Sequence, residues 1–376
     1  MMVPVYVDNA ATTRLSPTAL EAMLPWLRDD YANASQPYSF SRNARKALAN
    51  ARARIADCIG AAPDEIVFTS GGTESDNWVI KKSRLLTPTR LSILTSQIEH
   101  HAILRACEDE EMVYGRRVYF IPVDEGGHVN LDSFKTRLSN DCGLVSIMTI
   151  NNEIGTIQPI HELCEISHRM GCYFHTDAVQ AIGHVNVNVK SLGVDFLSAS
   201  AHKFNGPKGV GFLYIRKGVP LPSMITGGKQ EHGMRAGTEN VASIVGMAAA
   251  LQENLESLES NYTHISSLEK TLLTGLERAG IVFRRNGDES RYPGIISLSF
   301  KGMNGESILH RLDLKGICVS TGAACDSHDT QVSHVLQAID LDTELSKGSI
   351  RISLGKDNTA NDIDLILKSL ISIFQT

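Results

Sequence analysis

The sequence predicts an α/β protein: a large, mostly parallel sheet covered by helices, followed by a smaller α/β domain. Seven short apolar runs alternate with helical patterns over the first two thirds of the chain. Alternation of that kind buries a parallel sheet between helices on both faces. A long stretch from 241 to 279 then repeats Leu at helical spacing and runs into Gly280, a C-cap signal. Beyond it the character changes to short strands separated by short helices.

The elements follow in order. "EIVFT" (65–69) reads as a buried strand, followed by Gly71, Gly72 and a helical stretch from Thr73 to about Leu86. "LSILTS" (91–96) is the next strand, with a helix beginning near His100. "RVYFIPV", "LVSIMTI", "CYFHTD", "DFLSASA" and "GVGFLYI" complete the seven. In the last third, "GIISLSF", "GICVS" and "SIRISLG" are strands, and "GESILHRLDL" and "VSHVLQAID" are helical. This divides the chain into a large domain, 15–255, and a small domain formed by 1–14 and 256–376. The boundary falls inside or beside the long helix.

A chain of 376 residues is long for one simple domain, so two cooperating domains are expected. A net charge of −6 argues against a general nucleic-acid binder. No apolar run approaches the ~20 residues a membrane span needs. "MMVPVYVDNAATT" lacks a basic leader followed by an apolar stretch, so it does not read as a secretory signal. The seven cysteines are odd in number and scattered, with no C-x-x-C pair. That pattern argues against a disulfide framework or a structural zinc and fits a reducing cytoplasm.

"SASAHKFNGPKGVGFLYI" (198–215) carries the strongest chemical signal. An apolar strand runs into Ser200, His202 and Lys203. A lysine there either snorkels to the surface or sits desolvated, where its amine attacks carbonyls. "FTSGGTESDN" (68–77) is either an ordinary turn with a helix cap or an anion site built from free backbone N–H groups and the Thr73 hydroxyl. In "FHTDAVQAIG", Asp177 is either a helix N-cap or a carboxylate for a protonated ring nitrogen. In "SQIEHHAIL", His100 either starts a helix at the surface or stacks on a flat ring. "STGAACDS" (320–327) puts Cys325 among small residues, as a reactive thiol or a buried one.

A lysine, a carboxylate, an anion-binding helix start and an imidazole all follow strands of one sheet, at the edge where open α/β sheets bind ligands. The set matches pyridoxal phosphate: aldehyde to lysine, ring nitrogen to aspartate, phosphate to the helix start.

Nine motifs extend this over essentially the whole chain: "YVDNAATT", "EIVFTSGGTESDN", "TSQIEHHAIL", "INNEIGTIQPI", "HTDAVQAIG", "SAHKFNGPKGVGFLY", "GMRAGTEN", "STGAACDS" and "SIRISLG". With them the chain resembles the NifS/IscS-like cysteine desulfurases of the class V aminotransferases. The resemblance implies the fold type I architecture of pyridoxal-phosphate-dependent transferases, with a seven-stranded sheet. It also implies roles. Lys203 would hold the cofactor covalently, and Asp177 would pair with its ring nitrogen. Gln180 and Asn152 would contact ring substituents, and His100 would stack on the ring and help move protons. Gly72, Thr73, Ser200 and His202 would hold the phosphate. Thr238 would reach the partner subunit's phosphate in a homodimer. Arg351 would bind the substrate's α-carboxylate, and Cys325 would take the sulfur of L-cysteine as a persulfide. The sulfur would pass to an acceptor protein in iron–sulfur assembly, tRNA thiolation or DNA sulfur modification. No direct nucleic-acid or membrane contact is expected.

The loop around Cys325 resembles the subgroup with a longer loop, without an Arg-x-Gly-His-His-Cys motif. Three departures stand out. "ANASQPYSFS" carries Tyr38 and Ser41 where relatives have histidine and glycine. "GGKQEHG" carries Lys229 and His232 where relatives have glycine and arginine. Housekeeping relatives often extend beyond the position of Thr376 with a scaffold-docking tail. Two other functions compete with desulfuration of L-cysteine: a selenocysteine lyase or other class V enzyme, and a catalytically weak scaffold.

Overall fold

A computed structural model describes residues 4–321 and 332–374. Its strands are β1 (Val5–Tyr6), β2 (Ile66–Thr69), β3 (Ser92–Ser96), β4 (Arg117–Ile121), β5 (Cys142–Ser146), β6 (Tyr173–Asp177), β7 (Phe196–Ser200), β8 (Gly211–Ile215), β9 (Arg284–Arg285), β10 (Ile295–Ser299), β11 (Ile317–Cys318) and β12 (Ser349–Ser353). The central sheet has seven strands in the order β2-β8-β7-β6-β5-β3-β4. All pairings are parallel except those of β8, which is antiparallel to both neighbours.

Strand periodicity explains the two cores. Phe68, Leu94, Val145, Phe174, Leu197 and Phe212 join one apolar cluster with Ile55, Leu163, Ile244 and Leu251 of the helices on that face. Their neighbours Val67, Ile93, Leu144, Phe196 and Leu213 join another, with Trp78 and Ile103 of the helices Gly72–Leu86 and His101–Tyr114. Side chains two apart share a face, so one strand feeds both layers. Each fully buried Leu, Ile or Phe contributes roughly 1.5–3 kcal/mol of transfer free energy.

Two expectations change. "LVSIMTI" yields a strand over Cys142–Ser146 only. The later residues Met148 and Ile150 are apolar because they pack in clusters beyond the strand end. The long helical stretch is two helices, Val241–Glu256 and Leu258–Arg278, broken at Ser257. The Ser257 N–H bonds the carbonyls of both Glu253 and Leu255, a tightened turn that redirects the chain. Gly280 follows the second helix in left-handed conformation, φ +74°, as a C-cap glycine should.

The remaining strands build outside the central sheet. β10 pairs antiparallel with β12 and β9, and β1 pairs parallel with β11. Their apolar cluster joins Val7 to residues from Ile265 to Ile373. Among the described residues no helix is long and apolar enough to cross a membrane, and no His/Cys/Asp/Glu group is set to hold a metal.

Candidate active site

Because β8 runs antiparallel to both β2 and β7, the last residues of β2 and β7, Thr69 and Ser200, both face Gly211 of β8. The loop after β2 crosses this point closely. A Cβ on Gly211 would lie 2.3 Å from the Ala199 carbonyl oxygen and 2.7 Å from Gly71 Cα. A Cβ on Gly72 would lie 2.6 Å from Val179 Cγ2. Glycines therefore seat the start of the helix Gly72–Leu86 against Ser200 and the turn after β6. The first N–H groups of such a helix have no intrahelical acceptor and attract anions.

The strand ends surround one cavity of about 540 Å³. Gly72, Thr73, His100, Asn152, Asp177, Gln180, Ser200, His202, Lys203 and Arg351 all line it. Thr238 does not; it is exposed on a separate loop. Cys325 lies outside the described residues. Before it, Ser320 pairs with Arg351 by two backbone hydrogen bonds. After it, the Ser333 hydroxyl donates to Glu153 at 2.5 Å, and His334 Nε2 contacts the Glu99 carbonyl at 3.0 Å.

Lys203 follows β7 in a short 3-10 turn. Its Nζ donates to the carbonyl of Ala11 at 3.0 Å and to that of Ala10. Gln180 Nε2 donates to the same Ala10 carbonyl at 2.8 Å. The "DNAATT" loop thus gathers the lysine and glutamine.

Asp177 ends β6 and is nearly fully buried. Its Oδ1 accepts the Val179 N–H at 2.9 Å, an Asx turn rather than an α-helix cap. Burial pushes its carboxyl up to about 6, against the Val179 N–H and Lys203, which pull it down. His100 caps the helix His101–Tyr114, with Nδ1 accepting the Ala102 N–H at 3.1 Å. Burial, then Lys203 and His101, bring its imidazole down to about 4. It is neutral near pH 7, and the accepting Nδ1 leaves the proton on Nε2. His202, whose Nδ1 contacts Thr12 Oγ1 at 3.1 Å, is likewise brought down to about 4, chiefly by burial.

Arg351, on β12, is 4% exposed. Its Nη1 donates to the Asn152 carbonyl at 2.9 Å and its Nη2 to Asp8 Oδ1 at 2.7 Å. The guanidinium at the cavity is thus already paired with an internal carboxylate.

The model of the family described as "Aminotransferase class-V" matches residues 5–366. The chain belongs to that family. A cysteine desulfurase IscS of Dictyoglomus turgidum is 47% identical over 373 residues, which cover 99% of this chain and 94% of the relative. A solved NifS-like protein superposes with a TM-score of 0.93 at 38% identity, covering 99% of each chain. SspA, solved in complex with cysteine, has a TM-score of 0.84 and 31% identity, with 94% of this chain and all of SspA covered. These similarities place the chain in the cysteine desulfurase branch of the class V family, which is pyridoxal-phosphate dependent.

The residues present fit that cofactor. A cavity of this size beside a lysine, a buried carboxylate and a glycine-seated helix start suits a phosphorylated aromatic aldehyde. Sequence reasoning missed Asp8, Asp76 and the Ala10–Ala11 carbonyls. Asp8 and the carbonyls sit inside "YVDNAATT", which was a signal without a chemical reading. Asp76 sits inside "SGGTESDN" and reads from sequence as one more polar helix residue.

Proposed function

We propose that the chain is a cysteine desulfurase that takes the sulfur of L-cysteine, releases L-alanine and leaves a persulfide on Cys325. The observation that carries this reading is one cavity shared by Lys203, Asp177, His100 and Arg351 at the strand ends. The cysteine bound to SspA supports the substrate.

Pyridoxal phosphate, when bound, supplies the electron sink that makes a substrate Cα proton acidic. Lys203 holds its aldehyde carbon, and Asp177, ionised above about pH 6, holds the proton on its ring nitrogen. Asn152 and Gln180 contact the ring substituents. Gly72, Thr73, Ser200 and His202 hold the phosphate at the helix start. Neutral His100 stacks on the ring. Arg351 binds the substrate α-carboxylate, a charge-assisted contact that fixes the Cα. The Lys203 amine, free once the substrate's own amine has displaced it, would take the Cα proton and later return one to Cα, with His100 assisting. The Cys325 thiolate then attacks the substrate sulfur. The substrate's C–S bond breaks, its former sulfur-bearing carbon takes a proton, and the sulfur stays on Cys325. The thiolate is the required form, because a thiol is a poor nucleophile.

Thr238 acts across a homodimer at the partner's phosphate; its exposure away from this chain's cavity supports that role. Residues 15–255 form the cofactor domain, and 1–14 with 256–376 the domain carrying Cys325. The protein works in the cytoplasm and passes sulfur to an acceptor protein, a scaffold or a thiolation enzyme. Supplying L-cysteine and L-selenocysteine separately and assaying alanine tests the reading. With a dithiol reductant added to discharge the persulfide, alanine and sulfide from L-cysteine are expected. Alanine from L-selenocysteine alone, or from neither, overturns it.

A further inference from the structure

The face of the central sheet under the helix Gly72–Leu86 carries a polar patch that includes a buried histidine and two buried carboxyl groups. Strand periodicity puts Ser146, His175, Asp177 and Ser198 on that face, and Asp76 comes down on them from the helix. His175 and Ser198 are completely buried, and Asp76 is 1% exposed. His175 is engaged at both nitrogens: Nδ1 contacts Ser146 Oγ at 2.8 Å and Nε2 contacts Ser198 Oγ at 2.9 Å. Asp76 Oδ1 lies 3.7 Å from His175 Nε2, has no hydrogen-bond partner, and belongs to a residue lining the active-site cavity.

An ionised carboxylate in such a place needs a countercharge. His175 does not supply one. Burial brings its imidazole down to about 3, so it is neutral. The other titratable groups acting on Asp76 are Asp177 and Glu99, both acidic, so neither supplies a countercharge. Burial and these two carboxylates raise Asp76 well above the carboxylate range, with only the Ser198 hydroxyl opposing them. Asp177 differs: the Val179 N–H and Lys203 both favour its ionised form. Two carboxylates in one desolvated site do not both ionise, and the better-solvated one takes the charge.

We propose that Asp76 is a positioning residue for the cofactor ring: it stays a neutral carboxylic acid behind Asp177 and leaves the single negative charge of the pair on Asp177. The ring nitrogen then meets a full carboxylate, and His175, fixed by Ser146 and Ser198, offers Asp76 no countercharge. The inference rests on the reading that Asp177 holds the ring nitrogen.

Infrared spectroscopy of the holoenzyme tests it, because a protonated carboxyl absorbs apart from carboxylates. Glu99, also buried and pushed up to about 8, contributes a second such band. At pH 7 the wild type should show both; Glu99→Gln removes one and Asp76→Asn the other. An unchanged spectrum in Asp76→Asn, or no band remaining in Glu99→Gln, overturns the proposal. Asp177→Asn gives an independent measurement. It removes the neighbouring charge, so the Asp76 band should titrate away at lower pH than in wild type. An unshifted titration also overturns it. Cofactor affinity separates the two readings. If Asp177→Asn binds pyridoxal phosphate as tightly as wild type, the role of Asp177 fails. If it binds weakly while Asp76→Asn leaves the spectrum unchanged, only the Asp76 inference fails.

Discussion

Asp8 Oδ1 accepts a hydrogen bond from Arg351 Nη2 at 2.7 Å, joining residues 343 positions apart. If Arg351 binds the substrate's α-carboxylate as proposed, this internal carboxylate competes for the same guanidinium. Asp8→Asn keeps an oxygen acceptor but removes the charge, weakening the competing bond by roughly 1 kcal/mol. The KM for L-cysteine should fall about fivefold by that measure. Steady-state kinetics check this; an unchanged or raised KM shows that Asp8 does not compete.

Gly211 is where the central sheet meets the loop that leads into the helix Gly72–Leu86. A Cβ there strikes the Ala199 carbonyl and Gly71 Cα, both backbone atoms. Gly211→Ala should cost about 1–3 kcal/mol of stability, as overpacking does. It should also weaken pyridoxal phosphate binding, because Gly71 must shift. Chemical unfolding and an absorbance titration of the cofactor measure the two effects. Wild-type values in both contradict the close approach.

Asp177 gives the site a pH dependence with a definite sign. Its folded-state pKa, about 6, lies above the ordinary aspartate value. In the cofactor-free protein its stabilising contribution is therefore complete below about pH 4 and is lost as pH rises through about 6. The loss amounts to roughly 3 kcal/mol at most. Cofactor binding runs the other way if, as proposed, the ring nitrogen pairs with the Asp177 carboxylate. The dissociation constant should rise up to about tenfold per pH unit below 6. Subtracting the Asp177→Asn profile from wild type isolates both trends; equal profiles contradict them.

Lys203→Ala removes the amine held by the Ala10 and Ala11 carbonyls. The variant should lose the visible absorption of covalently held cofactor and all turnover of L-cysteine. Gel filtration followed by an absorption spectrum checks it. A yellow, active variant assigns the amine to another lysine.

Much of this was legible before the structure. All seven apolar runs hold strands of the central sheet, because helices cover both of its faces and the two apolar clusters draw on alternate residues of the same strands. Asp177 was legible because it ends such a strand, and Lys203 and His100 because each follows one. Other features depend on contacts the sequence does not display. The Asp8–Arg351 pair spans nearly the whole chain. The partnership of Asp76 with His175 exists only once the helix Gly72–Leu86 crosses the sheet. Ser257 interrupts a stretch whose Leu spacing reads as continuous, since packing of two helices decides the break.

The central claim is that sulfur leaves L-cysteine for Cys325. Mass spectrometry of the chain after L-cysteine, with alanine counted alongside, tests it in wild type and in Cys325→Ala. Wild type should carry one extra sulfur atom on the Cys325 peptide. Cys325→Ala should retain the cofactor but make neither alanine nor sulfide. Alanine at the wild-type rate from Cys325→Ala would contradict the claim.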